Sequence, residues 1–335
     1  MDRFSFTSEP ISGLVSIVVP TYRKDQYIGE TLESIGRQTY DDWELVVVED
    51  SSVGRTEQIV ADFARRHPDH RVEYCRNDRN RGAAYSRNIA FAKSRGEFVA
   101  LIDADDRWFP EHLARSVEAL RDPGHDLVYS STVMIEDGTD RLLEIGGPKD
   151  YELTEFPDSL FRRNFITPSA TVMRRDVLAD VGPWNTAMKY CEDQDFWLRC
   201  IRAGKQFHLI GGCHCLYRKN HDGATTQKDS GTNEEFAEIV DRFIPMPGTS
   251  ESRVRRYVAK AYRRAAECHH RQHSRDPSAD PSRCAMLLYK AWRVQPKRLD
   301  NLVRMLRYSV VNRLRKPIRK PDVAQTNSTS KRAAA

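Results

Sequence analysis

The sequence lacks the two glycine signatures that commonly mark a nucleotide site. No Gly-x-Gly-x-x-Gly follows the first predicted strand and no Gly-x-x-x-x-Gly-Lys-Ser/Thr occurs. Their absence argues against a Rossmann-style dinucleotide cofactor and a phosphate-cradling P-loop. Long apolar runs are missing as well: nothing approaches the roughly 18–20 residues needed to cross a bilayer. The N-terminal stretch MDRFSFTSEP has no apolar centre of a secretory signal. Cysteine is sparse, with seven residues at positions 75, 191, 200, 213, 215, 268 and 284. An odd, scattered set gives no disulfide framework and fits a reducing compartment, so the expected location is the cytoplasm. Cys213-His214-Cys215 with His221 nearby offers soft-metal ligands. The alternation of a strand explains the same residues more simply, by setting both thiols on one face.

What is present describes a soluble chain with a real core. Of 335 residues, 39% are hydrophobic and 30% charged, and the length suits one large domain with an appendage. The net charge of +5 hides an asymmetry: residues 251–335 hold 22 Lys or Arg against 6 Asp or Glu, so residues 1–250 carry −11. Such a split marks a boundary between an acidic body and a basic C-terminal part.

The most informative stretch is FVALIDADDRWFP, residues 98–110. A short apolar run stops at Asp103, Asp105 and Asp106, the pattern of a buried strand delivering acids to the end of a sheet. Carboxylates this close repel one another, and a hard divalent cation, Mg²⁺ or Mn²⁺, relieves the conflict while leaving positions for phosphate oxygens. A solvated acidic turn is the plainer alternative. Upstream, runs at 15–19, 43–48 and 72–75 read as further buried strands. They alternate with helical patterns at 27–38, 56–66 and 82–94. That alternation predicts an α/β fold built on a mainly parallel sheet with right-handed crossovers. Ligands of open α/β sheets bind at the carboxyl ends of the strands. Pro20-Thr21-Tyr22, Glu49-Asp50-Ser51-Ser52 and Asp103-Ala104-Asp105-Asp106 therefore belong along one crevice. Gly82 opens a helix whose N-terminus favours anions, with Arg81 and Arg87 in reach of a diphosphate or a base edge.

The segments VSIVVPTYRKDQYIGETLESIGRQTYDDWELVVVED, NRGAAYSRN and GEFVALIDADD, in this order and spacing, resemble the inverting family 2 glycosyltransferases of GT-A fold over about residues 14–220. The resemblance implies a Rossmann-like GT-A sheet and transfer of a sugar, from a UDP-sugar by preference, to an acceptor hydroxyl. It assigns Pro20, Thr21, Tyr22, Asp50, Arg81, Asp103 and Ala104 to the sugar nucleotide, and Asp105 with Asp103 to the metal. Glu49-Asp50-Ser51-Ser52 stands where the family often shows Asp-Asp-Gly-Ser, so a serine takes the glycine's place in the turn. Thr167 opens a segment resembling the strand that closes the acceptor side, to which Asp106 is also referred. Within Cys191-Glu192-Asp193, the resemblance makes Asp193 the catalytic base and Glu192 an acceptor contact. Acids at the start of a helix also suit the macrodipole, which is the structural alternative. Tyr217-Arg218-Lys219-Asn220-His221 matches a segment whose basic residue or His closes over the diphosphate, making His221 a candidate for metal or phosphate.

Beyond residue 110 the parallel pattern fades, with strands predicted at 127–131 and 169–174 and a polar loop over 138–157. The expected organisation is a catalytic domain over 1–232, a basic helical extension over 233–321 and a disordered tail over 322–335. In the extension, helices are predicted around residues 236–243, 254–269, 285–294 and 299–314. The last has a leucine-rich face with arginines beside it, suited to the catalytic domain, a second subunit or an anionic membrane at its inner face. Nucleic acid is not expected as a partner, because the charge comes without a recognised motif. The expected acceptor is a saccharide or lipid-linked sugar of cell-surface polysaccharide or glycolipid assembly. A sugar nucleotidyltransferase is disfavoured because PTYRKDQY replaces its Gly-rich loop. A non-catalytic sugar-nucleotide-binding module is disfavoured by the acids at 103, 105 and 193.

Overall fold

The computed structural model describes residues 6, 9–219, 230–275, 282–297, 299–300 and 302–306. The first half alternates as its periodicity predicts: β1 (Ile11–Thr21), α1 (Ile28–Gly36), β2 (Trp43–Glu49), α2 (Thr56–Arg66), β3 (Val72–Arg76), α3 (Ala83–Lys93) and β4 (Gly96–Leu101). Then come β5 (Arg107–Trp108), α4 (His112–Leu120), β6 (Leu127–Glu136), β7 (Leu142–Gly146), α5 (Asp150–Thr154), β8 (Thr171–Arg174), α6 (Arg175–Val181), α7 (Glu192–Arg202) and β9 (Phe207–Lys219). Helices α8 (Ser230–Arg242), α9 (Glu251–Arg275) and α10 (Ser282–Val294) follow.

Among the described residues the strands form one nine-stranded sheet in the order β3-β2-β1-β4-β8-β6-β9-β5, with β7 paired to β6. The β3-β2-β1-β4 half is parallel throughout. The other half is mixed, since β8 runs antiparallel to β4 and β6, and β9 runs parallel to β6. Strand alternation assigns each residue to a face. Val15, Ile17 and Val19 of β1 pack with Ile28 and Leu32 of α1, Val60 and Phe63 of α2 and Leu113 and Val117 of α4. Val18, Val46 and Val48 meet Ala90 and Phe91 of α3 and Phe196 and Trp197 of α7 on the opposite face. The same apolar cluster continues through Ile239 and Val240 of α8, Val258 and Tyr262 of α9 and Leu287 and Ala291 of α10. No helix among the described residues is long and apolar enough to cross a membrane.

Two sequence expectations change. β1 continues through Pro20 to Thr21 rather than stopping at the proline. The Val18 carbonyl accepts from Ile102 N–H at the very end of β4. Pro20, two residues on, aims its missing N–H to the same side, where β4 has already turned away. The predicted loop 138–157 contains β7 and α5. Leu142 and Ile145 of β7 are largely exposed, so pairing with β6 orders this edge without giving the sequence a buried period. The tail 322–335, most of the helix predicted over 299–314, and His221 lie outside the described residues.

Candidate active site

The carboxyl ends of β1, β2 and β4 come together as the topology requires. Thr21 closes β1, and its carbonyl accepts the Asp50 N–H at 2.7 Å. The Thr21 hydroxyl is buried with no hydrogen-bond partner among the described residues. Tyr22 is exposed, with the Arg23 guanidinium 5.0 Å from its ring centre. Asp50 is buried, and its Oδ1 accepts from Asn77 Nδ2 at 2.9 Å and Arg81 N–H at 2.9 Å. Its Oδ2 accepts from Gly82 N–H at 2.7 Å. Asp50 thus fixes the entry to α3. Gly82 there has φ +86°, a conformation that costs glycine little. A carboxylate offers about four acceptor positions, so most of Asp50 is spent on the protein itself. The Arg81 side chain lies at the surface, paired with Asp78 at 3.2 Å and 4.7 Å from the centre of the Tyr85 ring. Ser51, in the glycine's place, has φ +67°, so the turn forms with a side chain in the left-handed region.

Thr31 of α1 locks the acidic turn after β4: its hydroxyl lies 2.9 Å from the Ala104 carbonyl and 2.8 Å from that of Asp106. Asp103 N–H donates to Ser169 Oγ at 3.0 Å, tying the turn to the segment at 167–170. Sequence reasoning placed a strand at 169, whereas Pro168–Ala170 is a 3-10 turn that precedes β8. The Thr167 carbonyl accepts from Ala170 N–H and from Thr171 Oγ1 within that turn. Asp105 receives Lys24 Nζ at 2.6 Å. Burial raises the Asp105 carboxyl against the opposing charge of Lys24. Asp106 is fully buried and accepts Arg218 N–H at 2.9 Å. Burial, then Asp105 and Asp103, push its carboxyl well above the usual carboxylate range. Crowded, partly desolvated carboxylates are the situation a divalent cation relieves. Asp103 and Asp105 are hard oxygen donors whose chemistry suits Mg²⁺ or Mn²⁺. Among the described residues no group of three His, Cys, Asp or Glu could hold a metal ion by itself.

Arg87 is what joins this turn to the rest of the site. Only 3% of its side chain is exposed, and it bonds Asp103 Oδ1 at 2.7 Å and Glu192 Oε1 at 2.9 Å. Burial would lower its pKa, but Asp103 and Glu192 outweigh that, and the guanidinium stays charged. It also packs 4.6 Å from the centre of the Trp184 ring. The sequence expectation that Arg87 reaches a diphosphate is therefore corrected: it is an internal strut. The signal was available, since Arg87 falls on the buried face of α3 with Ala84, Ala90 and Phe91, where an arginine implies a buried ion pair. Arg218 is consumed in the same way, bonding Glu30 at 2.7 Å and the Asp105 carbonyl at 3.1 Å.

Asp193 sits in the first turn of α7, where Asn164 Nδ2 donates to its Oδ2 at 2.7 Å and Gln194 N–H to its Oδ1 at 2.7 Å. Burial, reinforced by the Glu192 charge, pushes its carboxyl up to about 7. A carboxyl so poised suits general-base work near neutral pH. Sequence reasoning missed Lys24, Asn164 and Ser169, whose contacts link positions far apart in the chain. Cys213 and Cys215 lie in β9, where burial holds both thiols protonated.

Comparison with known proteins bears on the family and the fold. Residues 16–182 match the family described as Glycosyl transferase family 2. The chain is 31% identical over 235 residues to the Escherichia coli UDP-Glc:alpha-D-GlcNAc-diphosphoundecaprenol beta-1,3-glucosyltransferase WfgD, covering 70% of this chain and 88% of that one. The structure of S. aureus TarS 1-349 in complex with UDP-GlcNAc superposes with a TM-score of 0.65 at 20% identity, covering 86% of this chain and 83% of that one. Against a larger TarS structure the chain covers 53% of its length. The mannosyltransferase PcManGT from Pyrobaculum calidifontis, in complex with GDP-Man and Mn²⁺, gives a TM-score of 0.59 at 21% identity over 92% of this chain and 88% of that one. With its mixed GT-A sheet and its acids at the strand ends, the chain belongs to the family 2 glycosyltransferases.

Proposed function

We propose that this glycosyltransferase moves a sugar from a UDP-sugar to an acceptor hydroxyl with inversion at the anomeric carbon, in the presence of Mg²⁺ or Mn²⁺. The observation that carries the reading is the Arg87 bridge, which holds the Asp103 turn against the helix bearing Asp193. Asp193 takes the proton from the acceptor hydroxyl as that oxygen attacks the anomeric carbon from the face opposite the leaving diphosphate. A single displacement with one base inverts the centre. Asp103 and Asp105 would hold the cation, which would supply Lewis-acid stabilisation of the leaving diphosphate. Thr21, Tyr22 and Arg81 line the nucleoside end, and Asp50 holds the α3 entry against it. The preference for uridine rests on similarity to WfgD, named for UDP-Glc, and to TarS, whose structure holds UDP-GlcNAc.

A lipid-linked acceptor in cell-surface polysaccharide assembly is supported by the name of WfgD and by the surface beside the base. Arg163, next to Asn164, is bonded to Glu152 of α5 and to the Gly147 carbonyl. The β7–α5 segment it anchors exposes Leu142, Leu143, Ile145, Tyr151 and Leu153. Arg256, Lys260 and Arg264 recur every four residues on the exposed side of α9, a pattern suited to anionic lipid at the cytoplasmic face of a membrane.

The test is binding and slow hydrolysis of UDP-, TDP- and GDP-sugars with and without Mn²⁺, using wild type and Asp105→Ala. The expected result is release of UDP that requires both metal and Asp105. Failure of every sugar nucleotide to bind would remove the donor reading.

A further inference from the structure

The helix carrying Glu192 and Asp193 has no side-chain cap of its own. Cys191 stands at its N-cap and makes no capping bond, where Ser, Thr, Asp or Asn is usual. Instead, three consecutive N–H groups at the entry to the helix converge on one carboxylate from α8. Lys189 N–H donates to Glu235 Oε1 at 2.9 Å, and Tyr190 and Cys191 N–H donate to Oε2 at 2.7 and 2.9 Å. Cys191 Sγ also approaches the Thr232 carbonyl of α8 at 3.7 Å. Successive N–H groups that converge in this way form an anion-binding concavity. Here the chain fills it with its own carboxylate, from more than forty residues downstream. The other restraints on α7 act from its first turn onward: Arg87 on Glu192, Asn164 on Asp193, and Gln194 Nε2 on the Leu160 carbonyl. Glu235 alone among these holds the backbone that leads into the helix.

We infer that Glu235 is a positioning residue for sugar transfer: by anchoring the 189–191 backbone to α8, it sets where Asp193 meets the acceptor hydroxyl. The inference rests on Asp193 being the base. Without the carboxylate, the three N–H groups turn to water and the entry to α7 is released. A base misplaced by about 1 Å costs on the order of 100-fold in rate.

The experiment uses Glu235→Ala and the nearly isosteric Glu235→Gln in the full chain, with UDP and Mn²⁺ as binding probes and UDP release from the sugar donor as the rate. In Glu235→Ala, amide hydrogen exchange at 189–191 should accelerate and kcat should fall about 10- to 100-fold. Affinity for UDP with Mn²⁺ and KM for the donor should stay within about twofold, because the donor end is untouched. Glu235→Gln, which keeps one carbonyl oxygen as acceptor, should be intermediate, and it carries the test if the alanine variant does not fold. Added formate should restore part of the lost kcat in Glu235→Ala by entering the N–H concavity, and should not help Asp193→Asn. A Glu235→Ala protein with accelerated exchange but wild-type kcat would overturn the inference, as would a loss of UDP affinity matching the loss of rate. Wild-type turnover by Asp193→Asn would instead refute the base assignment, a result read independently of Glu235.

Discussion

Replacing Arg87 by methionine keeps most of the side-chain volume and removes the charge shared by Asp103 and Glu192. Both bonds are short, at 2.7 and 2.9 Å, and the guanidinium is almost wholly buried. Breaking a buried pair by deleting one partner costs about 3–5 kcal/mol, chiefly because the other charge is left uncompensated. Two carboxylates are orphaned here, but the Asp103 side chain is 34% exposed, so water takes up part of its deficit. A loss of about 2–4 kcal/mol is the consistent figure, equivalent in a chain of 335 residues to a fall in Tm of roughly 3–6 °C. Arg87→Lys keeps the charge but cannot span two carboxylates with a planar fork, and should fall between. The assay is thermal and urea unfolding of the three proteins at one pH and ionic strength. A methionine variant melting within about 1 °C of wild type would refute the idea that this bridge holds the two halves of the site together.

The rate should also follow the protonation of Asp193. With its carboxyl raised to about 7, kcat/KM should climb about tenfold per pH unit below 7 and level off above it. An acid limb near pH 4 would contradict the assignment. Asn164→Ala removes a bond that favours the charged carboxylate and should move the limb up by about one pH unit. The fold binds this proton more tightly than the unfolded chain, whose Asp titrates near 4. Asp193 therefore lowers stability progressively as pH rises from about 4 to about 7, and Asp193→Asn should flatten that slope. Ser51→Gly should stabilise the chain by about 0.5–1 kcal/mol, because it relieves a left-handed residue at a modest cost in unfolded-state entropy. A lower urea midpoint for Ser51→Gly would show that the serine side chain contributes more than the strain it carries.

The parts of the molecule legible in the sequence were those written in local periodicity. β1, β2 and β4 are near-continuous apolar runs because both faces are covered, and each ends in or leads into the polar residues at the carboxyl end of the sheet. The amphipathic spacing of α7 to α10 was equally plain. What escaped was set by contacts across the fold. β7 is an exposed edge whose order comes from β6, so its leucines carry no strand alternation. α5 is one short turn whose Glu152 accepts the Lys149 N–H and pairs with Arg163. Arg87 reads as a ligand for a diphosphate because arginine beside a helix start commonly is one. Its carboxylate partners, Asp103 and, 105 residues away, Glu192, reveal it as a strut, as Glu30, 188 residues away, does for Arg218. Asn164 and Glu235 carried no motif, and their roles exist only once α7 is placed between them.

The central claim is that Asp193 performs the chemistry while a separate set of residues holds the donor. The direct measurement is turnover of the sugar nucleotide by Asp193→Asn, paired with its affinity for UDP and Mn²⁺. The amide keeps the shape of the site and removes the base, so affinity should stay within about twofold while turnover falls by about 100-fold or more. Wild-type turnover by Asp193→Asn would contradict the account, because the proton would then have to leave by a group other than the one the helix presents.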